Sequence, residues 1–166
     1  MVNSNDSRMI SFYIPQDSDL LAALGIVALQ HSQLDYILRM TIKILGEVTI
    51  QQALDATAFE SSRGLRDRIR KLAKQKLGEG NSLIQLQALL ERCKRATEKR
   101  NDFIHNIWAR ELDGETLRRT NDHNWIPLPT TEELNTLSKE LASLTNELNE
   151  TRLSGFLAEA MTKKKP

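Results

Sequence analysis

Apolar residues recur along this chain at alternating steps of three and four, which is the spacing of one face of an α-helix. The first such run follows a polar stretch and ends near Gly46. Its buried face is predicted to contain Leu20, Leu24, Val27, His31, Leu34, Leu38, Thr41 and Leu45. Because Ser18 or Asp19 can cap a helix, we expect the helix to begin there. Residues 1–17 are predicted to form a flexible arm, with docking of Phe12, Tyr13 and Ile14 on the body as the alternative for that part.

Two further helical regions precede residue 111. The second spans about residues 50–77, and Gly64 is predicted to divide it into a short and a longer helix. The third lies within residues 83–110, after a turn at Gly78 and Gly80. Its buried face is predicted to contain Leu86, Leu90, Cys93, Thr97, Arg100, Ile104 and Ile107.

The last long helix has the clearest start signal in the sequence. Thr130 lies three residues before Glu133, which is the capping-box pattern, and a row of leucines follows. These are Leu134, Leu137, Leu141, Leu144 and Leu148. We interpret the row as core packing, with a dimer seam as the alternative. A short final helix is predicted over residues 153–161.

These patterns predict an all-α fold, a bundle of four to five helices over residues 18–161, followed by a frayed basic tail over residues 162–166. Asp113-Gly114 is a tight-turn signal, so a small hairpin is predicted after the third helix. The single Cys93 excludes an internal disulfide. We find no signal peptide and no apolar run of membrane-spanning length, and we therefore expect a cytoplasmic protein without membrane contact.

Charged side chains interrupt two of the apolar faces. Arg100 takes a position in the third helix where leucine would be ordinary, and a permanently charged guanidinium there must face a carboxylate, a cleft or a bound anion. On the first helix His31 lies one turn before Asp35, so these side chains can touch. We interpret the pair as a core histidine held by a carboxylate. The alternative is that Asp35 balances Arg100 or orients His105.

Residues 100–105, Arg-Asn-Asp-Phe-Ile-His, resemble the hallmark of the HEPN family. That hallmark is an arginine, then four to six residues, then a histidine, often with a polar residue directly after the arginine. The resemblance implies a helical bundle and, as in many members, a metal-independent endoribonuclease. It implies Arg100 on the phosphate, His105 in an acid–base or orienting role and Asn101 beside them, with Asp35 resembling an acidic residue of the family's first helix.

An arginine and a histidine suit this reaction on chemical grounds as well. RNA carries its own nucleophile, the 2′-hydroxyl. A histidine exchanges protons near neutral pH, and an arginine stabilises the charge of the pentavalent phosphate. Residues five apart are separated by roughly 140° around a straight helix. We therefore expect Arg100 and His105 to lie on different faces, and a homodimer with the third helix near its axis to complete the site.

Basic residues between 63 and 76 form the one dense positive cluster in a chain whose net charge is +1. They are Arg63, Arg66, Arg68, Arg70, Lys71, Lys74 and Lys76. Such a cluster suits a nucleic-acid backbone, and a solvated helix face is the alternative. The residues predicted to bind RNA are Arg63, Arg66, Arg70 and Lys74.

Three hypotheses follow from these observations. The first is a ribonuclease, a toxin or an antiviral defence component, with RNA as its partner and an antitoxin or another regulator beside it. The second is a non-catalytic HEPN module that binds nucleotide, RNA or a protein, and the third is a plain helical interaction protein. Ile107 replaces the tyrosine that a toxin subgroup carries two residues after the histidine, which argues against regulation by modification there. Scattered histidines and the lack of a glycine-rich phosphate loop predict neither metal nor cofactor.

Overall fold

The computed structural model describes residues 10–111, 114–120 and 122–163. Six helices lie in this part of the chain: α1 Ser18–Gly46, α2 Ile50–Ala56, α3 Ser62–Leu77, α4 Asn81–Ile104, α5 Thr131–Leu153 and α6 Phe156–Thr162. Four strands accompany them: β1 Ile10–Phe12, β2 Trp108–Glu111, β3 Thr116–Arg119 and β4 Trp125–Pro127. The chain is mainly helical, as predicted, and a small antiparallel sheet adds to the helices.

The core lies where the leucine faces of the helices meet. All five leucines of the α5 row are fully buried, and they pack in one cluster with apolar residues of α1, α3 and α4. The capping box at the start of α5 is also present, with Thr130 as the N-cap. Because the row is buried within a single chain, it belongs to the core and leaves no leucine for a dimer seam.

The N-cap of the first helix lies earlier in the chain than predicted. Asp17 is the N-cap, and its carboxylate accepts hydrogen bonds from the backbone amides of Asp19 at 2.9 Å and Leu20 at 3.2 Å. The prediction of Ser18 or Asp19 as the cap is therefore wrong. A carboxylate that satisfies two free amides, with its charge at the positive end of the helix, explains the choice of Asp17.

The break in the second helical region lies at residues 57–61, and the predicted division at Gly64 is wrong. Thr57 is the C-cap of α2, and Ser61 caps α3 by accepting a hydrogen bond from the amide of Gly64 at 3.2 Å. Arg39 of α1 donates to the carbonyl and the hydroxyl of Thr57, which fixes the break against α1. Gly64 is thus a first-turn residue of α3, because a capping serine sets the boundary.

The four strands form one antiparallel sheet in the order β1-β2-β3-β4. The predicted hairpin corresponds to β2 and β3, although residues 112 and 113 of its turn lie outside the described residues. Residues 10–12 were predicted to belong to a flexible arm, but they pair with β2, with Phe12 opposite Ala109. Backbone pairing to β2 therefore fixes this part of the arm, while residues 1–9 and 164–166 lie outside the description. No helix within the described ranges has the length and apolar character needed to cross a bilayer.

Candidate functional site

A polar cavity of about 480 Å³ opens between α1, the N-terminal end of α3 and the C-terminal end of α4. All the catalytic and supporting candidates line it, together with two of the residues predicted to bind RNA. These are Arg100, Asn101, His105, His31, Asp35, Arg63 and Arg66. Residues that are distant in the sequence therefore converge on one cavity of a single chain.

Arg100 and His105 are in direct contact in this cavity. Nη1 of Arg100 lies 2.7 Å from Nε2 of His105 and also donates to Oδ1 of Asn101 at 3.0 Å. A guanidinium has donors only, so Nε2 of His105 must accept this hydrogen bond and carry no proton. The tautomer of His105 therefore has its ring proton on Nδ1.

Arg100 and His105 were predicted to lie on different faces of a helix, but the reactive atoms of their side chains meet. The third helix was predicted to continue towards residue 110, whereas α4 ends at Ile104 and His105 is its C-cap. The separation of roughly 140° applies to backbone positions on a helix. The long, flexible arginine side chain spans that separation and brings Nη1 to 2.7 Å from Nε2 of His105.

Side chains beyond α4 hold its last turn in place. Nδ2 of Asn106 donates to the carbonyl oxygen of Asp102 at 2.7 Å, and Arg118 of β3 donates to the same oxygen at 3.2 Å. Arg118 also forms an ion pair with the Asp102 carboxylate, and the indole N–H of Trp108 donates to the carbonyl oxygen of Phe103 at 3.0 Å. These bonds satisfy carbonyls that a helix end leaves free. The sheet thus fixes the helix end that presents His105.

A second polar network lies beside this pair. His31 Nδ1 is 3.8 Å from Oδ2 of Asp35, and Ser62 donates to Oδ1 of Asp35 at 2.7 Å. On the other side of the ring, Nε2 of His31 lies 3.3 Å from the hydroxyl of Thr97 and 3.4 Å from that of Ser62. The i, i+4 contact of His31 and Asp35 is present, and both nitrogens of His31 face protein groups.

Burial lowers the pKa of the His31 imidazole, and the carboxylate of Asp35 opposes that shift. The charges of Arg100 and Arg66 and the ring of His105 lower the pKa further. His31 is therefore neutral at neutral pH. Since Asp35 bonds Ser62 and faces His31, and no ion pair joins it to Arg100 within the described residues, the arrangement favours a core histidine held by a carboxylate.

Arg66 is a buried cation at the floor of the cavity. It is 5% exposed, and its Nη1 donates to the Thr97 hydroxyl at 3.3 Å. Burial lowers the pKa of its guanidinium, although the group stays protonated at neutral pH. Among the described residues neither Arg66 nor Arg100 forms an ion pair with a carboxylate. The cavity therefore contains two guanidinium groups without a carboxylate of their own.

The rest of the basic cluster is largely neutralised by local ion pairs. Arg70 bonds Asp67 at 2.8 Å and approaches Glu91 at 3.8 Å, and neither Arg70 nor Lys74 lines the cavity. Arg63 lines it with a side chain that is 88% exposed, 3.8 Å from Asp67. The structure thus brings Arg63 and Arg66 to the cavity and places Arg70 and Lys74 elsewhere. RNA binding by any of these four residues stays a prediction.

Ser62, Thr97 and the Asp102–Arg118 pair were not predicted to be part of the site. Thr97 was predicted to lie on the buried face of its helix. Because a buried hydroxyl needs a hydrogen-bond partner, its presence there could have indicated a polar contact. Ser62 follows a capping serine, and Arg118 lies in a strand of four residues. The sequence around Ser62 carries no signal for a contact in this cavity, and the sequence around Arg118, which does not line the cavity, carries none for its ion pair with Asp102.

Comparison with known proteins returned no match: no family model, no curated protein and no solved structure is significantly similar to this chain. The HEPN interpretation therefore depends on residues 100–105 and on the helical architecture around them. Within the described part of the chain, no group of three or more His, Cys, Asp or Glu side chains could hold a metal ion.

Proposed function

We propose that the polar cavity binds a phosphodiester of RNA, and that the protein is a metal-independent endoribonuclease of HEPN type that acts as a homodimer in a toxin or defence role. The observation that carries this proposal is the contact of 2.7 Å between Arg100 and His105 in an open cavity. A fixed cation and a proton acceptor then lie at one point, which are two of the three groups that cleavage of RNA through its own 2′-hydroxyl uses, the third being an acid for the leaving oxygen.

The hydrogen bonds of Arg100 favour an anion as the missing partner. Among the described residues no carboxylate forms an ion pair with its guanidinium, which lines the open cavity. Its unpaired, buried Nε is not specific to this site, because Arg118, Arg119 and Arg152 have one as well. A phosphate accepts two parallel hydrogen bonds from a guanidinium, so a bound phosphodiester would supply the counter-charge that the described residues do not.

The proposed reaction begins when a phosphate oxygen accepts the hydrogen bonds of Arg100. The guanidinium then leaves Nε2 of His105, which takes the proton of the 2′-hydroxyl as that oxygen attacks phosphorus. The P–O5′ bond breaks as the new P–O2′ bond forms, leaving a 2′,3′-cyclic phosphate and a 5′-hydroxyl. In the proposed dimer, the same phosphate also draws the second copy's Arg100 away from its His105; that imidazole then binds a proton from solvent and donates it to the 5′ oxygen as the P–O5′ bond breaks. Asn101 holds the guanidinium in position through its 3.0 Å bond.

The test is cleavage of a mixed-sequence single-stranded RNA in the presence of EDTA. We expect the wild type to leave cyclic-phosphate ends, and Arg100→Ala and His105→Ala each to lower the rate at least 100-fold. Arg92→Ala is the matched control, because Arg92 lies on the same helix, pairs with Glu147 at 2.7 Å and does not line the cavity. It should cleave at the wild-type rate.

Two results would reject the nuclease. One is the absence of cleavage by a folded, dimeric wild type, and the other is full activity in both site variants. In the first case the cavity would be assigned to non-catalytic binding of nucleotide or RNA. Phosphate binding by the wild type that is lost in Arg100→Ala would establish this binding function. In the second case the cleaving activity would belong to a contaminant or to another part of the chain.

A further inference from the structure

A second cavity, of about 550 Å³, adjoins the polar cavity and is almost entirely apolar. It lies between the chain following β1, the first half of α1, and the segment from the end of α4 into β2. The rings of Phe12, Tyr13 and Trp108 line it together with Ile107, and Gly25 and Ala28 of α1 form its opposite wall.

Neighbouring residues of the same two helices line the two cavities. On α1, Ala28 lines the apolar cavity and His31, less than one turn later, lines the polar cavity. On α4, Ile104 lines the apolar cavity and the next residue, His105, lines the polar cavity. The apolar cavity therefore lies beside the polar one, next to the residue that contacts Arg100.

Two cations lie close to aromatic rings of this cavity, although neither lines it. The guanidinium of Arg110 lies 5.2 Å from the centre of the Tyr13 ring, and the ammonium group of Lys99 lies 5.8 Å from that of Phe103. Phe12 leaves 86% of its surface exposed, which is unusual for a phenylalanine. An apolar, aromatic cleft beside a polar cavity that contains Arg100 complements a flat ring attached to a negative phosphate.

We propose that the apolar cavity binds an unpaired nucleobase of the RNA strand whose neighbouring phosphate contacts Arg100. This inference rests on the proposed function, since it takes the polar cavity as the phosphate site. Single-stranded RNA is commonly held by aromatic side chains on which its bases stack, beside cations that contact its backbone. The occupant is thus a base joined to a phosphate, and the substrate is single-stranded, because a paired base cannot enter the cleft.

The cavity can be filled or opened without disturbing the core. A Cβ atom at Gly25 would meet no atom within 4 Å, so Gly25→Leu fills the cleft while it raises the helix propensity of α1. Phe12→Ala removes an exposed ring. Ala22→Leu is the matched control, because it adds the same side chain to an exposed position of α1 that does not line the cavity.

The experiment titrates the protein with adenosine 5′-monophosphate and, separately, with ribose 5-phosphate, following the fluorescence of Trp108 in a Trp125→Phe background. We expect the nucleotide to change this fluorescence and to bind at least tenfold more tightly than the sugar phosphate, which is a typical effect of one stacked base. Gly25→Leu and Phe12→Ala should each bring the two affinities together. Ala22→Leu should leave the difference in place.

Equal affinity of the wild type for the two ligands would overturn the proposal. So would loss of dimers in Gly25→Leu, measured by sedimentation, with nucleotide binding unchanged, since the cleft would then be a subunit interface. The proposed nuclease can fail separately, because these titrations involve no cleavage. RNA cleavage in EDTA by a protein that binds both ligands equally would keep the nuclease and reject the base site.

Discussion

Replacing Arg100 by leucine tests whether this arginine serves phosphate binding or the stability of the fold. The side chain lies on the face of α4 that also contains Leu86, Leu90 and Thr97, where leucine fits the apolar spacing. Within the described ranges its two hydrogen bonds, to Asn101 and His105, are both made by Nη1, and its buried Nε has no partner. We therefore expect Arg100→Leu to keep the fold and to lose phosphate binding and RNA cleavage.

The expected change in stability is small because opposing contributions nearly cancel. Each of the two lost hydrogen bonds contributes about 0.5–1.5 kcal/mol, while removal of the unpaired buried Nε relieves a cost of about 1–3 kcal/mol. Leucine adds apolar burial at a half-buried position. The free energy of unfolding should thus change by about 1 kcal/mol or less, a shift in Tm of about 2–4 °C for a chain of this length. The cleavage rate should fall at least 100-fold.

The assay is urea denaturation followed by circular dichroism, run beside phosphate titration and the RNA cleavage test. Arg92→Leu is the control, since Arg92 forms a half-exposed ion pair with Glu147 and its loss should cost about 0–1 kcal/mol without any effect on cleavage. A loss of about 3 kcal/mol or more in Arg100→Leu would show that Arg100 is a structural residue. Unchanged phosphate binding in a stable variant would refute the anion site.

Three further substitutions test other parts of the argument. Asp102→Ala leaves Arg118 buried without its counter-charge and should lower the free energy of unfolding by about 2–3 kcal/mol. This loss is smaller than for a fully buried pair because Asp102 is 32% exposed. A urea midpoint equal to that of the wild type would contradict the prediction. Leu141→Ala should lower the free energy of unfolding by about 2–5 kcal/mol and leave the sedimentation coefficient unchanged. Dissociation of a dimer in this variant would show that the leucine row forms a subunit interface. Because burial lowers the pKa of His31, the unfolded chain binds a proton below about pH 6.5 that the folded chain resists, so stability should fall as the pH decreases through that value. His31→Gln should flatten this dependence between pH 7 and pH 5, and an unchanged slope would exclude His31 as its cause.

The helices could be predicted where their signals are local. The capping box and the leucine row of α5 lie within one continuous segment, so both were readable from the sequence. The sheet depends on pairings between distant segments, such as Phe12 with Ala109, and its strands have only three or four residues. So short a strand shows too little alternation to be recognised, and its partner is chosen by the tertiary fold.

The site shows the same division between local and distant contacts. The contact of His31 with Asp35 follows from helical spacing and was predicted, whereas Ser62 and Thr97 reach His31 from α3 and α4. Nothing in the sequence states which helices meet. Arg66 was predicted to bind RNA as part of a basic cluster, and its burial at the floor of the cavity, where α3 meets α4, was not predicted.

The contact of Arg100 with His105 changes the reason for expecting a dimer. Helical spacing compares backbone directions, but the chemistry of an arginine lies at the far end of a long, flexible side chain. Because Nη1 reaches Nε2 within one chain, a dimer is not needed to bring a cation and a base together. Cleavage also requires an acid for the leaving oxygen, and both nitrogens of the neighbouring His31 already face protein groups. We propose that His105 of a second copy is this acid once its own Arg100 contacts the phosphate and solvent protonates its ring, so the second proton transfer is now the reason for proposing a dimer.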